Sequence, residues 1–187
     1  MDQGQSIKAV MNRVVPIIFL LIALSVCGEE RLSVIRPGIP CKNIPDIERQ
    51  LGSVELNRDS SGVLIEYSGI QGGKEARIIY RCDGGRLTEQ RVMVMLAGRD
   101  EAYRYADAQK TALSGRLGDP IHDGLQLPVW RRLLFGFLGA DLDYLTAVVV
   151  WGRESEAFML SVTQAGESLW QVSISQGSSK LEYIINS

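Results

Sequence analysis

A chain of 187 residues has room for one domain with a substantial core, and 45% apolar beside 22% charged residues excludes both a disordered chain and a multispanning membrane protein. A formal net charge of −2 excludes attraction of nucleic acid or anionic lipid by bulk charge.

Residues 1 to 27 read as an export signal. Lys8 and Arg13 make a charged beginning, and Val14 to Val26 is an almost unbroken apolar run. The run is shorter than the roughly 20 residues of a membrane span and fits the apolar core of a signal, about 7 to 15 residues. Leu24-Ser25-Val26-Cys27 resembles a bacterial lipoprotein box, with Val26 where such boxes carry Gly or Ala, so Cys27 is the expected lipid carrier. The alternative is cleavage after Ser25 by an ordinary signal peptidase, to which Ala23 and Ser25 present small side chains. Either route ends in a bacterial cell envelope, lipid-anchored at the outer membrane or soluble in the periplasm. Asp2, Lys8 and Arg13 leave with the signal, which takes the 20 basic and 22 acidic residues to 18 and 21.

The chain has three cysteines, and in an exported protein the odd one needs its own explanation. With a lipid on Cys27, Cys41 and Cys82 remain as a pair whose spacing matches neither zinc-binding nor thioredoxin-like patterns. A structural disulfide is expected, worth about 4 kcal/mol by the chain-entropy estimate for a loop of about 40 residues. The competing reading, two unrelated buried thiols, suits a cytosolic protein better than an exported one.

Residues 28 to 42 contain Arg36-Pro37-Gly38-Ile39-Pro40, which cannot continue a helix and reads as a linker or an incoming strand. A first unit spans 43–98. Asn43 as N-cap, Pro45 in the first turn, and Ile44, Ile47 and Leu51 at helical spacing predict a short amphipathic helix that Gly52 ends. Val63 to Tyr67, Glu75 to Cys82 and Leu87 to Leu96 predict three strands, with Asp83-Gly84-Gly85 as a hairpin. Alternation in the middle strand points Ala76, Ile78, Tyr80 and Cys82 inward. A second unit spans 99–187. Asp100 caps a longer helix carrying Ala102, Ala106, Leu113 and Leu117, Gly118-Asp119-Pro120 stops it, and Leu145 to Trp151, Ala157 to Thr163 and Leu169 to Ser175 follow as strands. The expected fold is α+β: a helix plus a three-stranded antiparallel sheet in tandem, two degenerate repeats packed as one small domain.

The two units differ at one place. Gly52 to Val63 spans 11 positions but Gly118 to Val148 spans 30, so the second unit holds an apolar insertion at about 125–144. As a helix it would put Trp130, Leu134 and Leu138 on one stripe, Val129, Leu133 and Phe137 on the next, and Arg131 and Arg132 on the far side. Two readings stand: a core helix covering the open face of the second sheet, or an exposed surface for a partner protein or the membrane interface, formed by Trp130, Arg131, Arg132, Leu134 and Phe137.

Catalytic groups are scarce. The one histidine, His122, sits in a turn after the helix stop, and neither a GxSxG elbow nor an HExxH motif occurs. Gly72-Gly73-Lys74 lacks the strand-to-helix setting of a phosphate loop, and Asp141 with Asp143 falls far short of a calcium loop. A tandem of this kind behind such a signal resembles in architecture the small envelope-assembly lipoproteins and some secreted protease or lactamase inhibitors. Leu117-Gly118-Asp119-Pro120 is the local likeness to the former; no residue role is carried over. The expectation is a non-catalytic envelope lipoprotein or periplasmic protein that binds another envelope protein in assembly or maintenance of the envelope, with no cofactor, metal or nucleic acid. The alternative is a secreted inhibitor or small-ligand carrier, and an enzyme comes third.

Overall fold

The computed structural model describes residues 27–126, 130, 134, 137, 138, 147–153 and 155–178, the side chains of 27–30 excepted. The segment expected as an export signal lies outside the described residues except for the backbone of Cys27. Among the described residues no helix is long and apolar enough to cross a membrane.

The chain opens with helix α1 (Cys27–Val34), which occupies the segment expected as a linker or incoming strand. A 3-10 turn (Cys41–Asn43) leads into α2 (Ile44–Gln50), and then come β1 (Val54–Arg58), β2 (Leu64–Gln71), β3 (Lys74–Asp83) and β4 (Arg86–Ala97). Helix α3 (Arg99–Leu117) precedes β5 (His122–Asp123), β6 (Val148–Arg153), β7 (Glu156–Gln164) and β8 (Leu169–Ser178). The hairpin signals act as turn chemistry requires: Gly72 and Gly73, then Gly84 and Gly85, take positive φ between their strands, a region open to glycine.

The expected tandem of helix and three-stranded sheet is corrected by the strand order β1-β2-β3-β4-β8-β7-β6-β5, a single eight-stranded antiparallel sheet. Strands β4 and β8, each expected as the last strand of its own small sheet, pair with one another from Glu89 opposite Gly177 to Ala97 opposite Leu169. Two separate sheets would each have left the long row of backbone groups on this strand without partners. Two strands were also missed. Strand β1 is five residues long, alternates only over Val54-Glu55-Leu56-Asn57 and has every residue exposed, and β5 has only two residues.

One face of the sheet forms the core. Across it runs the row Trp151, Phe158, Gln176, Gln90, Tyr80 and Ile65, each opposite the next on the neighbouring strand. Beside this row lie Ile78, Val92, Ile174, Leu160 and Val149, all buried. Helix α3 lies on β4, β6, β7 and β8 and buries Ala102, Tyr105, Ala106 and Leu113 there. Gly98 rather than Asp100 is its N-cap; Asp100 and Glu101 stand in the first turn, where carboxylates favour the helix dipole. Asn43 likewise has helical backbone angles and makes no side-chain cap to α2.

Cys41 and Cys82 are joined by a disulfide, with α-carbons 6.4 Å apart. It ties the chain just ahead of α2 to the inward face of β3, where strand alternation places Cys82.

Candidate functional site

The insertion leaves β5 at one end of the sheet and returns to it at Val148. Its described residues Trp130, Leu134 and Phe137 are helical, and the Leu138 N–H donates to the Leu134 carbonyl at 3.1 Å. Trp130 is 60%, Leu134 47% and Phe137 90% exposed, and Leu138 is exposed beside them, while Val129 and Leu133 of the adjacent stripe lie outside the described residues. The exposed side chains do not cover the sheet. Spacings of four and three residues put them on one side of a helix, where they form an apolar stripe facing water. Arg131 and Arg132, expected on the far side, lie outside the described residues, as do Asp141 and Asp143. Leu125, by contrast, packs partly buried against the core and marks where the segment leaves it.

At the other end of the chain the structure brings together a polar network that the sequence reading did not assemble. Arg31 of α1 is buried, and its Nε donates to Glu48 Oε1 of α2 at 2.8 Å. Its Nη2 donates to Ser53 Oγ at 2.9 Å and its Nη1 to the Ile70 carbonyl at 3.2 Å. The Tyr80 hydroxyl donates to the same Glu48 oxygen. Gly69 allows this approach: a Cβ there would lie 2.5 Å from Ser53 Oγ and 2.9 Å from Ile78 Cδ1. Burial, and after it the charge of Glu48, holds the Tyr80 phenol well above its usual range. Nearby, Tyr67 donates to Glu55 at 2.9 Å and is raised by burial first, while Arg58 lowers Glu55 by hydrogen bonding to it. The network locks α1, the helix that Cys27 begins, into the fold together with buried Leu32 and Ile35. One signal was present in the sequence. Glu48 falls on the apolar stripe of α2, four residues after Ile44 and three before Leu51, where a carboxylate needs a buried partner.

The remaining singled-out residues have the following places in the fold. His122 belongs to β5, opposite Val150, instead of a turn. Lys74 leaves the Gly72-Gly73 hairpin and pairs with Glu101 at 2.6 Å. Cys27 is the first residue of α1, and its side chain lies outside what is described. Among the described residues no three His, Cys, Asp or Glu side chains are grouped to hold a metal ion. Comparison with protein-family models, with curated proteins and with solved structures finds no match to this chain.

Proposed function

We propose that this is a non-catalytic protein of the cell envelope, anchored through a lipid on Cys27 or free in the periplasm, that binds another envelope protein through the stripe of Trp130, Leu134 and Phe137. The exposure of these three side chains carries the reading. Large apolar groups held out on a helix weaken no core when they are lost, and on a partner each stabilises the complex by about 1.5–3 kcal/mol of burial. Aromatic side chains of this kind are the usual anchors of protein interfaces. The scarcity of catalytic groups and the export signal point the same way. A small-ligand carrier is the alternative; the cleft that the described residues form between α1, α3 and the β6–β7 turn encloses about 140 Å³, smaller than the roughly 300–1,000 Å³ of sites that enclose such ligands.

The test places a photoreactive side chain at position 137 in the full chain expressed in a bacterial envelope, with exposed Asp107 as the control position. A discrete adduct with one protein at 137, absent at 107 and lost on adding Trp130→Ala, is the expected outcome. Adducts with lipid alone, or equal adducts at both positions, refute a protein partner. Intact mass of the protein extracted from membranes reads the anchor directly, since cleavage after Ser25 with an unmodified thiol removes the lipid from the proposal.

A further inference from the structure

Helix α1 is eight residues long, and Cys27 is its first residue. Four residues on, the chain is already fixed in the body of the protein. Arg31 is buried and gives four hydrogen bonds, two to the Glu48 carboxylate, one to Ser53 Oγ and one to the Ile70 carbonyl. Leu32 and Ile35 are buried in the core beside it. Pulling α1 off the sheet would separate a buried ion pair and expose both apolar side chains, so the helix does not come away to serve as a spacer.

A lipid on Cys27 puts that residue at the bilayer interface, one helical turn from Arg31, about 6 Å along the axis. The polar layer on each side of a bilayer is roughly 5–8 Å thick, half the difference between the whole bilayer and its hydrocarbon core. One turn of helix only just clears it. A flexible linker of about 12 residues would instead give a mean reach of roughly 20 Å. The bonds of Arg31 also say which side of the body is nearest. They place Arg31, and with it the start of α1, beside Ser53 at the entry to β1 and Ile70 near the end of β2, at the edge of the sheet opposite β5. Val54 and Ile70 are exposed at that edge, on the face away from the core: Val54 pairs with Ser68, two residues before Ile70 on the same face of β2.

We propose that the lipid-anchored protein has no tether, and that the edge of the sheet at β1 and the end of β2, with Val54 and Ile70, rests on the bilayer surface. This rests on the lipid on Cys27 put forward above. It also narrows the partner of the Trp130 stripe to a protein at the same membrane surface, because a body without a spacer reaches no farther than its own width. That width is set by the sheet: seven strand spacings separate β1 from β5, roughly 30 Å.

The test uses the processed protein, extracted from membranes and returned to phosphatidylcholine vesicles whose acyl chains carry bromine as a fluorescence quencher. With Cys27 lipidated and Cys41 joined to Cys82, the three cysteines of the chain leave no free thiol, so Ile70→Cys or Ile121→Cys takes a single fluorophore. Ile121 is exposed beside β5, at the far edge of the sheet. Quenching several-fold stronger at position 70 than at 121 is expected, and a 12-residue Gly-Ser segment inserted between Cys27 and Gly28 abolishes the difference. Equal quenching at the two positions, or none at either, in protein whose intact mass includes the lipid overturns the proposal alone. So does a linker variant quenched at position 70 as strongly as its parent. An intact mass without lipid removes the anchor on which the proposal rests, and the proposal with it.

Discussion

Replacing Glu48 by Gln removes one charge from a pair with almost no solvent around it. Arg31 and Glu48 are both essentially fully buried, and Arg31 Nε stands 2.8 Å from the carboxylate. Gln keeps the size and one acceptor, so packing changes little, but the guanidinium stays buried without a counterion. Breaking a buried pair in this way costs about 3–5 kcal/mol, several times the loss at an exposed pair. For a domain of this size that is a fall in Tm of roughly 6 to 20 °C, measurable by circular dichroism or calorimetry. Arg31→Met has the same direction, since Glu48 then keeps only the Tyr80 hydroxyl as partner. Removing all three polar groups, as Arg31→Met/Glu48→Leu/Tyr80→Phe, recovers most of the loss, because a buried pair exchanged for apolar groups of similar volume is often neutral. The single changes are therefore strongly non-additive. A Glu48→Gln protein within about 1 kcal/mol of the parent, or Arg31 and Glu48 substitutions whose effects simply add, refutes the argument.

The disulfide closes a loop of 41 residues, so Cys41→Ser/Cys82→Ser lowers stability by about 4 kcal/mol, read as a shift in denaturant midpoint; an unchanged midpoint under reducing conditions contradicts it. Trp130→Ala leaves stability within roughly 0.5 kcal/mol because the side chain is 60% exposed, whereas a loss of 3 kcal/mol or more in a thermal melt would place it in the core. Tyr67, Tyr80 and Tyr105 have folded-state pKa values raised chiefly by burial, so the fold binds their protons more tightly than the unfolded chain does. That stability is intact below the unfolded phenol value, about 10, and is lost as pH rises above it, by about 1.4 kcal/mol per pH unit for each tyrosine still protonated in the fold. Tyrosinate absorbance followed beside circular dichroism should show these three ionising together with unfolding; smooth ionisation of all tyrosines before unfolding rejects the assignment.

What the sequence determined by itself was local. Alternation of Ala76, Ile78, Tyr80 and Cys82 assigns faces without reference to any other strand, and the Gly72-Gly73 and Gly84-Gly85 pairs set hairpins through their own φ angles. An inward Cys82 and a Cys41 just ahead of α2 made the disulfide legible for the same reason. Tertiary structure decided the rest. That β4 pairs with β8 depends on which of two apolar edge strands meet across about half the chain, and the alternation of Val92, Val94 and Leu96 is the same whether or not Ile174 and Val172 lie opposite. Strand β1 has no buried residue and forms because β2 offers it backbone partners, a signal that hydropathy does not carry. The partner of Glu48 lies in a segment whose prolines and glycine read as linker, and only folding brings Arg31 to it. The stripe of Trp130, Leu134 and Phe137 is equally suited to core and to surface, because helical spacing says which side chains share a face and nothing about what that face meets.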